Sequence, residues 1–116
     1  MNRSEFGLEE MIALKLVRTG SDRINFQILK MAEREIGEKE RGTNIGDIVR
    51  ETGLTKVPVN VRINQLEKVG LVMRWRGTGL VMLTELGKIF MDVVSRGEDI
   101  VRERIMEMLN NMYHNR

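Results

Sequence analysis

The chain has no cysteine, one histidine, one proline and one tryptophan, and aromatic residues make up only 4% of it. The lack of cysteine excludes a disulfide framework, a thiolate metal site and a cysteine nucleophile together. The one histidine, His114, lies near the C-terminal end, so a metal site or histidine-centred catalysis has almost nothing to work with. No apolar run approaches the roughly 20 residues that span a bilayer, and the opening MNRSEFGLEE has no signal-peptide apolar segment. A cytoplasmic protein without membrane association is expected. The acids Glu33, Glu35, Glu38 and Glu40 are interleaved with Lys and Arg, the pattern of a solvated surface rather than of a paired acid and base. No nucleophile, base and orienting group can be assembled, so the expectation is not an enzyme, with no cofactor and no metal.

What is present fits one modest core. The 116 residues, 41% hydrophobic, suit a single domain over 1–116. Net charge is only +2, but it is unevenly spread. From Leu54 to Gly79, Lys56, Arg62, Lys68, Arg74 and Arg76 stand against Glu67 alone. A locally basic segment on a balanced background is the footprint of a phosphate-contacting face, although a solvated basic surface has the same composition.

Apolar spacing lays out the helices. Leu8, Met11, Ile12 and Leu16 mark an amphipathic N-terminal helix over 4–19, with Gly20 placed to end it. Ile24, Ile28, Met31, Ala32 and Ile36 repeat at helical spacing, with Phe26 and Leu29 widening the stripe and Ser21 as N-cap. Beyond the connector GEKERG, Asn44 can cap a short helix holding Ile45, Ile48 and Val49, with Asp47 three residues on; Thr52-Gly53 ends it. Thr55 can cap the next helix, 55–69, whose first turn tolerates Pro58 because that N–H would be unpaired anyway, and Gly70 stops it.

The period then changes from 3.6 to 2. Leu71, Met73 and Trp75 alternate with Val72, Arg74 and Arg76; Gly77-Thr78-Gly79 supplies a turn, and Leu80 to Leu83 a second apolar run, which together predict a hairpin over 71–83. The tryptophan is expected in the core beneath the sheet, opposite the arginines. Thr84 can cap a helix bearing Leu86, Ile89, Phe90, Val93 and Val94, which Gly97 should interrupt. A last helix carries Val101, Ile105, Met108 and Met112 at four, three and four residues, a seam that wants a partner helix; the C-terminal helices together cover 84–113.

This order is mainly α with a small β-hairpin. The stretch NIGDIVRETGLTKVPVNVRINQLEKVGLVMRWRGTGLVMLTELGKIF resembles the winged helix-turn-helix pattern, carried by Ile48 and Val49, Gly53, Leu54, then Val59, Ile63 and Leu66, then Gly70-Leu71-Val72. LTELG, from Leu83 to Gly87, is similar to the strand-to-helix junction of MarR-type transcriptional regulators. The chain differs from that type in its short length, its three-residue wing tip and Trp75 beside the wing arginine. The resemblance implies a winged helix-turn-helix core over 21–83, flanked by N- and C-terminal dimerisation helices. It also implies a homodimeric transcriptional regulator that binds double-stranded DNA.

The residues themselves suggest how. The exposed side of helix 55–69 would carry Lys56, Val57, Asn60, Val61, Asn64 and Gln65, with Thr55 at its start. Asn and Gln can pair with adenine edges, valine methyls can meet thymine methyls, and Lys56 can reach a phosphate or guanine. Alternatively, Val57 and Val61 pack on a neighbour and Asn60 merely solvates the surface. Arg74 and Arg76, with Thr78 at the tip, would address the backbone or minor groove, or else form an ordinary solvated hairpin tip. The expected dimer interface is Leu8, Ile12, Val101, Ile105, Met108 and Met112. The residues leave open a small-molecule effector, and also an alternative in which the winged helix is a protein-interaction module of a replication or transcription assembly.

Overall fold

The structure, a computed structural model, describes residues 3–36, 40–75 and 77–114. Helix α1 (Arg3–Ser21) and helix α2 (Arg23–Ala32) are separated by Asp22 alone. Its carboxylate accepts hydrogen bonds from the backbone N–H groups of Ile24 and Asn25, both at 3.1 Å, so Asp22 rather than Ser21 is the N-cap of α2. Gly20 does not end α1, which runs on through Ser21. A Cβ at Gly20 would stand 2.7 Å from the Phe90 ring, so close packing explains this glycine.

Helix α2 stops at Ala32, short of the expected Ile36. The chain turns there, with the Gly42 N–H donating to the Arg34 carbonyl at 2.9 Å and Glu35 bridging Arg41, and Ile36 is left exposed. The middle of the GEKERG connector, residues 37–39, lies outside the described residues. Strand β1 (Thr43–Asn44) follows; two residues are too few to leave a period-2 signal, and it was not foreseen. Helix α3 (Ile45–Thr52) is capped as expected: Asn44 Oδ1 accepts from the Asp47 N–H at 2.8 Å, and Gly53, at φ 73°, closes the helix in the left-handed region.

Helix α4 (Lys56–Lys68) carries Pro58 in its first turn. Thr55 holds the N-cap position but makes no capping side-chain bond. Strands β2 (Val72–Trp75) and β3 (Leu80–Leu83) form the hairpin, and β1 adds to β3, giving an antiparallel sheet in the order β1-β3-β2. Helix α5 (Glu85–His114) begins where the Thr84 hydroxyl accepts from the Gly87 N–H at 3.0 Å, the expected cap.

Gly97 does not interrupt α5, so one 30-residue helix replaces the expected two. A helical glycine costs only about 1 kcal/mol relative to alanine, which good helix formers on either side outweigh. The buried edge of α5 is Gly87, Phe90 and Met91, whereas Leu86, Ile89 and Val93 face outward. Both stripes have helical spacing, and periodicity does not say which one meets the core.

Ile28, Leu29 and Met31 of α2, Ile48 of α3, Val59, Ile63 and Leu66 of α4, Val81 and Leu83 of β3, and Phe90 with Met91 form one buried cluster. Each large side chain there contributes about 1.5–3 kcal/mol by burial. The ends of the chain do not share it. Residues 98–114 are all exposed, as are Leu8, Met11, Ile12, Leu14 and Val17 of α1. The radius of gyration is therefore 17.9 Å, against about 13 Å for a compact domain of this length.

Candidate nucleic-acid interface

Helix α4 divides cleanly into two faces. Val59, Ile63 and Leu66 are buried, while Lys56, Val57, Val61, Asn64, Gln65 and Lys68 are exposed. Val57 is 73% exposed, so neither it nor the half-exposed Val61 packs on a neighbour of this chain. Thr55 is exposed at the helix start, and Lys56 and Lys68 make no ion pair among the described residues.

The hairpin stands beside α4 with its parity opposite to expectation. Val72 faces inward, paired with the buried Leu83, and Arg74 shares that face opposite Val81. Met73 and Trp75 face outward, and Trp75 is 53% exposed, not in the core. The expectation failed at Leu71. That residue is fully buried in the turn before the strand, next to the buried Val72, so an alternation counted from it runs one residue out of step. At the tip the Thr78 hydroxyl donates to the Trp75 carbonyl at 3.1 Å and accepts from the Leu80 N–H at 3.3 Å. Arg76 lies outside the described residues.

Arg74 leans onto α4. Its Nε donates to Glu67 Oε1 at 2.8 Å, Nη1 to Asn60 Oδ1 at 3.0 Å, and Nη2 to Asn64 Oδ1 at 2.6 Å and more weakly to the Asn60 carbonyl. Asn60 is further held because its Nδ2 donates to the Lys56 carbonyl at 3.0 Å. Of the polar residues expected to read bases, Asn60 is thus half-buried and braced, whereas Asn64 and Gln65 remain exposed. Glu67 was visible in the sequence only as the lone acid among the basic residues of 54–79; its role as the Arg74 anchor was not foreseen.

Arg62, counted in the same basic segment, is also engaged. It donates to the Asp22 carboxylate and, at 3.3 Å, to Asn25 Oδ1, tying α4 to the start of α2. The buried Asn25 gives its Nδ2 to the Thr19 carbonyl at 3.0 Å, so its polar atoms are satisfied. The backbone N–H of Asn25 holds the Asp22 carboxyl below its ordinary value, against the opposing effect of burial, with the Arg62 charge and bond and the Ile24 N–H adding to the depression.

The expected dimer residues Leu8, Ile12, Val101, Ile105, Met108 and Met112 are all exposed within one chain. A cleft of about 820 Å³ between α2, β3 and α5, lined in part by Phe26, Lys30, Met82, Lys88 and Met91, shares no residue with the α4 face. Among the described residues no group of three or more His, Cys, Asp or Glu could hold a metal, and no helix is long and apolar enough to cross a membrane.

No protein-family model matches this chain, and no curated protein does. Solved structures do. HlyU from Vibrio cholerae is similar at a TM-score of 0.59 and 16% identity, over 76% of this chain and 92% of that one. The transcriptional repressor CouR, bound to p-coumaroyl-CoA, matches at 0.55 and 20%, over 95% of this chain and 86% of that one. FabT from Streptococcus pneumoniae, in complex with DNA, matches at 0.54 and 17%, over 90% and 78%. At these identities the likeness is one of fold, a winged helix-turn-helix, and does not single out the MarR type.

Proposed function

We propose that this chain is a homodimeric transcriptional regulator that binds double-stranded DNA sequence-specifically, with α4 in the major groove and the hairpin on the backbone or minor groove. The observation that carries the reading is the outer face of α4, where Lys56, Val57, Val61, Asn64 and Gln65 form one exposed stripe beside the hairpin, of which Asn64 alone is tied back, to Arg74, among the described residues. An apolar and amide surface framed by lysines suits base edges and thymine methyls flanked by phosphates. FabT, a similar fold, is seen with DNA.

The exposed ends support the dimer. The accessible surface is 9056 Å², against about 6,500 Å² for a compact monomer of this mass. The excess exceeds what one partner of a standard interface buries, about 800 Å². Residues 98–114 of α5 are all exposed, and most helical stability in proteins comes from packing of an amphipathic face. A second copy would supply the missing face.

A gel-shift series on A·T-rich and mixed-sequence duplexes, run with a measurement of oligomeric mass, tests both parts. Discrimination among duplexes by a dimer is the expected outcome. A monomer that binds no duplex would sink the proposal and favour a protein-interaction module.

A further inference from the structure

Arg74 meets both asparagines of the α4 face through their amide oxygens. A guanidinium has five N–H donors and no acceptor, so each amide facing it must present oxygen, and the orientation of both is fixed. Two of the remaining bonds, to Glu67 Oε1 at 2.8 Å and to the Asn60 carbonyl, lock the guanidinium itself. Asn60 Nδ2 is held by its bond to the Lys56 carbonyl. Asn64 differs: its side chain is exposed, its Oδ1 is drawn back to β2, and its Nδ2 has no partner among the described residues.

We infer that Arg74 is a specificity-determining positioning residue: by holding the oxygen of Asn64 it makes the amide nitrogen the freer group of that side chain, so α4 selects guanine over adenine where Asn64 meets the groove. The inference rests on the reading of α4 as the base-reading helix. An asparagine pairs with adenine by accepting from N6–H and donating to N7 at once, and here the accepting oxygen is already engaged through one of its two lone pairs and turned toward Arg74. Guanine presents two acceptors, N7 and O6, to the same donor group. The adenine preference expected from residue type alone is thus reversed by the residue behind it.

The test starts from selection of duplexes by the full chain, with Asn64→Ala marking the base pair whose preference it flattens. Anisotropy titrations then compare guanine and adenine at that position. The native protein should favour guanine by about tenfold. Arg74→Met frees both amide oxygens, and adenine should then equal or exceed guanine. Glu67→Gln, which keeps its shape but loosens the Arg74 anchor, should move the preference the same way by a smaller factor, and circular dichroism confirms that each variant is folded. A merely structural role for Arg74 would weaken every duplex alike and leave the preference unchanged, which overturns the inference. So does adenine selection by the native protein. Binding to no duplex at all brings down the DNA-reading proposal and this one with it, and is distinct from either result.

Discussion

A Cβ on Gly87 would stand 2.1 Å from the carbonyl oxygen of Leu71, so the first turn of α5 lies directly on the backbone that joins α4 to the hairpin. Thr84 fastens the same junction, its hydroxyl donating to the Gly70 carbonyl and its N–H to the Leu71 carbonyl at 3.1 Å. The direction in which the long helix leaves the domain is thereby keyed to the α4 face.

Gly87→Ala should therefore destabilise the fold by about 3 kcal/mol, because backbone must move to admit the methyl group. Gly97→Ala is the contrast: a Cβ there meets nothing within 4 Å, and the site is inside a continuous helix. It should gain up to about 1 kcal/mol. Thermal unfolding followed by circular dichroism separates the two. Destabilisation at Gly97 would instead report a second chain pressed against that position.

How much of this was legible in the sequence depends on how local each signal is. The Asn44 cap, the Gly53 stop, Pro58 in a first turn and the Thr84 cap are decided within four or five residues, and all could be read. Trp75 could not, because burial of Leu71 in a turn shifts the strand parity. Gly97 misled because a breaker's weight is small against a long helix. The Arg74 contacts with Asn60, Asn64 and Glu67 cross from strand to helix, and no periodic pattern encodes such a meeting. The exposed stripe of α4 was legible as residues; which of its amide atoms remain available was not.

Acid should weaken the join between α2 and α4. A carboxyl whose folded pKa is depressed contributes stability above its unfolded value, about 3.9, and loses it as pH falls through the folded value. Asp22 is such a group, held down first by the Asn25 N–H. Asp22→Asn keeps a good N-cap but removes the charge facing Arg62. At pH 7 the variant should be less stable by under about 1 kcal/mol, the scale of an exposed pair. The difference should shrink as pH falls below about 3.9, where the unfolded carboxyl takes up its proton first, and vanish once the folded one has followed. Denaturant midpoints at pH 7 and pH 3 check the sign.

Ile105→Glu should yield monomers, since it puts a charge in the exposed Val101–Met112 seam. The native protein should sediment as a dimer at concentrations on the order of tens of micromolar. The variant should keep the winged core but lose helix signal, because residues 98–114 are all exposed and lack a packed face without a partner. Retained helicity in a monomer would remove the argument that the end of α5 needs a second chain.

Salt dependence separates the cations that neutralise phosphate from those already neutralised. Arg74 is paired with Glu67 and Arg62 with Asp22, so neither offers a net charge to DNA, whereas Lys56 is exposed and unpaired among the described residues. Taking Lys56 and Arg76 as the contacts of each subunit gives about four in a dimer, and a slope of log K against log salt near −4 at roughly −0.9 per contact. Lys56→Ala should lower the magnitude of that slope by about 2 units and weaken all duplexes to a similar degree. Arg74→Met should change it by less than about 1, since Glu67 left behind offsets little of the remaining positive face. A drop of about 2 units for Arg74→Met would mean that the guanidinium leaves Glu67 and the two asparagines on binding and grips phosphate instead, and the fixed orientation of Asn64 would then not survive in the complex.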